Sequence, residues 1–414
     1  MKPGAPQATI SRRGTAAVTV STAIAAASGY LILFIAARAL GPAGYAQFSV
    51  FWSLYFGVLG VLFGLQQEST RSASSAALAN QADGADRVRL IRATLGIGMV
   101  FGLLIAISGA GWARAVFASQ PLLLTAIVAA ASPLYAGQTG VLGALSGTRR
   151  WNAVSAIVTA EAVVRLVAVA VAAWAGWGVG GMAAATGLAA TAWIVVCVVS
   201  PSARVGLHLV GDSTSREFRS RSNHTMVAAA ASAALVVGFP VLLELTTPSG
   251  LGEAGGRLVL AITLTRAPLL MPLNAFQGVA INHFVTRRAA GFRALIPPSL
   301  LICAVGCVGA LAAWLVGAPL LSRVFGSGFE VTPAVLVYLT LGATLIAALT
   351  LTGTAVIARD EHRAFVAGWV VASVVTLAVL LVPAALTPRA IAGLLIGPAS
   401  GIVVHLVALA RSKA

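Results

Sequence analysis

Acidic residues are scarce in this chain. Asp and Glu together number 11 in 414 residues against 27 Lys and Arg, a formal net charge of +16. Charged residues of both signs reach only 9 %, far below the roughly one quarter of a soluble globular domain. So few polar groups cannot clothe a soluble surface, and the 59 % of apolar residues belongs to a polytopic membrane protein. Cysteine is rare too: Cys197, Cys303 and Cys307 imply no disulfide framework. The last two share a helix face, yet without a His or carboxylate nearby they make a poor metal site, and all three are expected to be buried and inert. There is no Walker A sequence, no Gly-x-Ser-x-Gly and no paired His and carboxylate motif. ATP hydrolysis and enzymatic chemistry are therefore not expected, nor are catalytic residues, metals or cofactors. No basic stretch is interleaved with stacking aromatics, so the positive charge does not read as a nucleic-acid footprint.

What the chain does have is a succession of long apolar stretches. A span needs roughly 20 mainly apolar residues, and twelve are predicted, at 15–37, 43–65, 93–112, 121–145, 153–175, 179–200, 225–245, 258–281, 294–317, 331–358, 364–386 and 390–410. The first resembles a secretory signal in following Arg12 and Arg13, but its apolar run continues to Ala37, too long for a signal core. Basic residues alternate along these spans. One side collects Lys2, Arg12, Arg13, Arg71, Arg87, Arg89, Arg92, Arg149, Arg150, Arg204, Arg216, Arg219 and Arg221. In the second half the same side takes Arg287, Arg288, Arg293, Arg359, Arg363, Arg411 and Lys413. The other side has only Arg38, Arg114, Arg257, Arg323 and Arg389. The positive-inside rule then puts both termini in the cytoplasm of a cell that carries the protein in its cytoplasmic membrane. Trp112, Trp151, Trp174, Trp177 and Trp314 fall near span ends, as in an interfacial aromatic belt.

At an offset of 211 residues the chain shows a weak, sustained correspondence with itself. Gly41-Pro-Ala-Gly44 faces Gly252-Glu-Ala-Gly255, Gln66 faces Gln277, and Ala153 after Arg150 faces Ala364 after Arg363. Six spans per half is an even number, so the halves form a parallel repeat about an axis along the membrane normal. The expected fold is an all-α polytopic membrane protein of about twelve transmembrane helices. It divides into a six-helix bundle at 1–200, a cytoplasmic linker at 201–224 and a second six-helix bundle at 225–414.

An ionisable side chain in mid-membrane is disfavoured by roughly 2.5 to 3.5 kcal/mol on insertion scales, so it faces a partner or a wet cavity. Glu161 and Arg165 stand four apart in the fifth span, in the favoured acidic-then-basic order, and an internal salt bridge weighs evenly against a cavity-lining role. Arg266 in the eighth span has no acidic companion on its own helix, and its planar fork suits a phosphate. An interhelical bridge to Glu161 or Glu244 is the competing reading. Gln277 falls on the same helix face, and Pro268 and Pro272 can bend or open that helix. Glu244 and Arg38 lie near outer span ends, where either also suits an ordinary interfacial charge. His405 in the last span reads as a hydrogen-bonded packing residue sooner than a proton relay.

The run Ala37-Arg-Ala-Leu-Gly-Pro-Ala-Gly-Tyr-Ala-Gln-Phe48 resembles the start of polysaccharide flippases in the multidrug/oligosaccharidyl-lipid/polysaccharide exporter superfamily. Gly147-Thr-Arg-Arg-Trp-Asn152, Thr265-Arg-Ala-Pro268 and Val324-Phe-Gly-Ser-Gly-Phe329 fall where that family has similar segments. The resemblance covers nearly the whole chain and implies two six-helix bundles around a cavity that opens to each side in turn. It implies a flippase that moves a lipid-linked oligosaccharide or polysaccharide precursor, of the O-antigen or capsule type since the two extra C-terminal spans of lipid II flippases are lacking. Arg266, Arg165, Arg38 and Gln277 would then line the substrate cavity. Membrane lipids and polysaccharide-assembly enzymes would be its partners. The alternative is a cation-coupled drug or small-molecule antiporter of the same fold, coupled through Glu161 or Glu244. A membrane glycan ligase or polymerase ranks last, because no outer loop is long enough for a catalytic site.

Overall fold

A computed structural model describes residues 12–78, 87–286, 293–359 and 361–411, with the side chains at 12, 13, 15, 228, 231, 232, 234, 271–283, 285 and 286 outside the description. Among the described residues every regular element is a helix, joined by short loops and turns, apart from one isolated bridge between Arg89 and Val210. The first half comprises α1 (Arg12–Leu78), α2 (Leu90–Val116), α3 (Pro121–Gly147), α4 (Trp151–Trp174), α5 (Gly178–Leu188), α6 (Ala192–Val199) and the short α7 (Pro201–Arg204). The second comprises α8 (Ser215–Val236), α9 (Phe239–Leu245), α10 (Gly252–Thr286), α11 (Ile296–Ala312), α12 (Ala318–Phe325), α13 (Pro333–Ile357), α14 (His362–Leu380) and α15 (Leu386–Arg411). Nine stretches of described helix are long and apolar enough to cross a membrane. The longest of them, within α1, runs 63 residues through the Gly41 kink, long enough for the first two predicted spans, whereas α8, α9 and α10, where the seventh and eighth are expected, are not among the nine.

The first predicted loop is only a kink. Gly41 takes φ 64° and ψ 179°, a backbone closed to side-chain-bearing residues, and Pro42 restarts the helix where a missing N–H costs nothing. Elsewhere the helices outrun their apolar spans. The predicted linker is half helix: α8 begins at Ser215 because Thr214 and Glu217 form a reciprocal capping box. Its first turns carry Arg216, Arg219 and Arg221 and so escape a hydropathy reading. The last two spans meet differently from expectation, with α14 ending at Leu380 and α15 starting at Leu386.

Helices in lipid gain little from apolar burial against one another, so close approach through small residues replaces it. Gly98 of α2 packs on Pro133 and Ala136 of α3, Gly102 on the Ala129 carbonyl, and Gly401 of α15 on the Gly368 carbonyl of α14. Phe48, Phe51 and Tyr55 stack in succession along α1 and are wholly buried in the first bundle. Trp174 and Trp177, at the turn between α4 and α5, are 90 % and 62 % exposed, as amphipathic rings at a membrane surface should be. Two cysteines depart from expectation. Cys197 is buried, but Cys303 and Cys307 lie exposed on the surface of α11, where apolar lipid replaces protein as their surroundings.

The two ends of the molecule differ. At the end where α1 starts and α15 finishes, the basic end, Gly14 lies beside Arg149, Arg150 and Ser202. The connector before α8 is fastened there: Val88 donates to the Ser213 carbonyl, Gly211 to that of Val88, and Asp212 accepts from Arg71 at 2.9 Å and from Ser72 at 2.7 Å. At the far end the two halves meet in a tight seam. Phe34 and Tyr45 of α1 meet Phe325 and Phe329 edge-on, Pro42 abuts Gly256 and Gly328, and Arg38 donates to the Val324 carbonyl at 3.3 Å.

Candidate functional site

Arg266 sits where the chain breaks its own helix. The carbonyl of Val236 ends α8, and the residue that should donate to it, four positions on, is Pro240, which has no N–H. Arg266 supplies the donor from α10, its Nη1 lying 3.1 Å from that oxygen, and the guanidinium stands 5.4 Å over the Phe239 ring. The residue is 8 % exposed, and its Nε and Nη2 are buried without a hydrogen-bond partner. A buried donor left unmade costs about 1 to 3 kcal/mol, so this guanidinium stands ready for an acceptor. The bridge to Glu161 or Glu244 weighed from sequence does not form. Glu244 accepts instead from the Leu251 amide at 3.1 Å, closing the loop between α9 and α10.

Glu161 pairs with Arg165 along α4, and Gln138 of α3 donates to the same carboxylate at 2.6 Å. The Arg165 guanidinium lies 5.0 Å over Phe56 of α1, and Tyr55 and Tyr135 are within electrostatic reach. This is a closed ion pair walled by aromatics inside the first bundle. It neutralises Arg165, which keeps one buried donor without a partner, Nε, against the two of Arg266, whose charge no carboxylate meets among the described residues. No described contact joins the two.

Arg38 lies apart from both, exposed in the far-end seam. Gln277 belongs to α10, but its side chain is outside the described residues. His405 is fully buried, bonded to Thr352 at 3.1 Å and stacked on Phe365, and packs tightly on Gly368. Sequence reasoning missed Gln138, although an amide inside an apolar span is a visible signal. It also missed Arg389, assigned to a surface loop. That side chain is buried and caps the carbonyls of Thr246 at 2.6 Å and Leu380 at 3.0 Å, tying α9 to the turn between α14 and α15.

No protein-family model matches the chain. It is 41 % identical over 411 residues to Uncharacterized protein Rv3630 of Mycobacterium tuberculosis (strain ATCC 25618 / H37Rv), covering 99 % of this chain and 95 % of that one. The chain belongs to this mycobacterial family. A second member from the same strain, Uncharacterized protein Rv1510, is 40 % identical over 407 residues, covering 98 % of this chain and 94 % of that one. Among solved structures, the chain is similar to a multidrug resistance MATE family transporter of the MOP superfamily in its inward-facing conformation. That match has a TM-score of 0.73 at 14 % identity and covers 95 % of this chain and 98 % of that one. An outward-facing conformation of such a transporter matches with a TM-score of 0.61 at 18 % identity, over 96 % and 95 %. A MOP superfamily transporter from Pyrococcus furiosus gives 0.61 at 16 %, over 97 % and 94 %. At such identities the likeness is one of fold. The chain thus has the MATE-type architecture of two repeated helix bundles, a multi-pass membrane protein.

Proposed function

We propose that this protein is a cation-coupled, alternating-access exporter of a small amphipathic molecule, held here in a state closed at the far end. The observation that carries the reading is the Glu161–Arg165 pair with its Gln138 donor, a titratable unit buried inside one bundle. A proton or cation arriving at Glu161 would release Arg165, and a charge pair with two arrangements is what couples ion binding to a change of packing. The far-end seam and the closer likeness to an inward-facing transporter support a cycle in which that seam opens. The basic end would face the cytoplasm of the cell membrane.

A second reading has its own support. The free Nε and Nη2 of Arg266 suit a phosphate or pyrophosphate, which keeps a lipid-linked glycan as substrate, with polysaccharide-assembly enzymes as partners. Proteoliposomes separate the two. Under the first reading, dye efflux follows an imposed proton or sodium gradient and stops in Glu161→Gln while surviving Arg266→Ala. Efflux indifferent to gradient and to Glu161, with flipping of a lipid pyrophosphate lost in Arg266→Ala, would sink it in favour of the second.

A further inference from the structure

A groove at the basic end carries a chemistry that neither transport reading uses. It lies between α2 and α8, one wall from each half of the chain, and encloses about 760 Å³. Its mouth holds four guanidinium groups, Arg87, Arg89, Arg92 and Arg219, and the described lining has no carboxylate. Arg87 has a buried Nη1 without a hydrogen-bond partner. Above the mouth the wall turns apolar, through Val100, Phe101 and Leu104 with Met226 opposite. Val100 and Leu104 are each 59 % exposed, so the groove opens sideways into the surrounding lipid. From Arg92 to Leu104 is twelve residues of helix, about 18 Å at 1.5 Å per residue. That is close to one leaflet, half of roughly 30 Å of hydrocarbon.

Basic mouth, apolar shaft and leaflet depth describe one class of molecule. We propose that this groove is a binding site for an anionic phospholipid, its phosphate among the four arginines and one acyl chain along the α2 shaft. A soluble anion would satisfy the arginines but leave the shaft unused, and a zwitterionic lipid would fill the shaft while bringing no net charge to the mouth. Because its walls belong to both halves, the lipid bridges them and favours the spacing seen here.

Gly96 provides a probe independent of charge. It lines the groove, and a Cβ built on it meets nothing within 4 Å, so a larger side chain there fills the shaft and leaves the helix unstrained. The experiment is native mass spectrometry of the full chain in mild detergent with equal amounts of phosphatidylglycerol and phosphatidylcholine. Phosphatidylglycerol should be retained preferentially. Arg87→Ala/Arg92→Ala should weaken it by about 25-fold, fivefold for each basic residue at about 1 kcal/mol, with phosphatidylcholine unchanged. Arg87→Lys/Arg92→Lys should keep most of the preference, and Gly96→Leu should lower both lipids while eluting as folded protein. Millimolar inorganic phosphate should not displace the lipid. Equal retention of the two lipids by the wild type, full retention by the double alanine variant, or displacement by phosphate would each overturn the assignment.

Discussion

Removing one partner of a buried ion pair leaves the other charge uncompensated, at a cost of about 3 to 5 kcal/mol. Glu161 and Arg165 meet that condition: Arg165 is 6 % exposed and lies against aromatic rings, with Glu161 as its carboxylate. Glu161→Gln strands the guanidinium, and Arg165→Met strands the carboxylate, leaving it only the Gln138 amide. Each single change should therefore destabilise by about 3 kcal/mol or more. The double variant removes both charges and keeps the volume, so it should cost far less than the sum, giving a coupling of about 3 kcal/mol. The assay is apparent unfolding of the four proteins in identical lipid nanodiscs, followed by intrinsic fluorescence. Transport then separates structure from mechanism. If the pair is only a device for inserting α4, the double variant recovers efflux along with stability; if Glu161 carries the coupling ion, stability returns and gradient-driven efflux does not. Additive single costs would refute the premise that these charges exist for each other.

Three further outcomes follow from the same geometry. Pro240→Ala restores an amide that can reach the Val236 carbonyl, so Arg266→Ala should cost about 1 kcal/mol less in that background than alone, by the same unfolding assay; equal costs would show that Arg266 does not serve as the cap. A side chain at Gly256 would overlap the Pro42 carbonyl, so Gly256→Leu should prise the far-end seam apart. In a background without the native cysteines, Phe329→Cys, at a position now 2 % exposed, should then react with a polar maleimide much faster, and unchanged labelling of folded protein would count against the seam. Burial pushes the Asp212 carboxyl up, but hydrogen bonds from Arg71 and Ser72 outweigh it and hold it below its ordinary value. Its contribution is therefore present above the unfolded carboxylate value near pH 4 and fades as pH falls through the lower folded value. Asp212→Asn should lower stability at neutral pH and flatten that part of the acid limb, read from melting temperature against pH.

Much of the architecture follows from local pattern. Apolar runs long enough to cross a bilayer, arginines on alternate turns of the chain and an even number of crossings per half require no knowledge of distant contacts. The Glu161–Arg165 pair belongs to the same class, because a spacing of four on one helix brings two side chains together whatever surrounds them. Helix ends were harder to read. α1 continues past Leu65 to Leu78 and α8 starts at Ser215, since hydrogen-bonded backbone does not stop at the membrane surface where hydropathy does.

Tertiary structure alone decided what the long-range polar groups do. Arg266 and Pro240 are 26 positions apart in sequence, and only the docking of α10 on the break between α8 and α9 turns an arginine with three free groups into a cap with two. Arg389, placed by pattern in a surface loop, is drawn inward by carbonyls that two separate helix ends leave unsatisfied. The physical reason is common to both. Periodicity and charge act through neighbours on one helix, whereas an orphaned carbonyl finds its donor wherever packing brings one within reach.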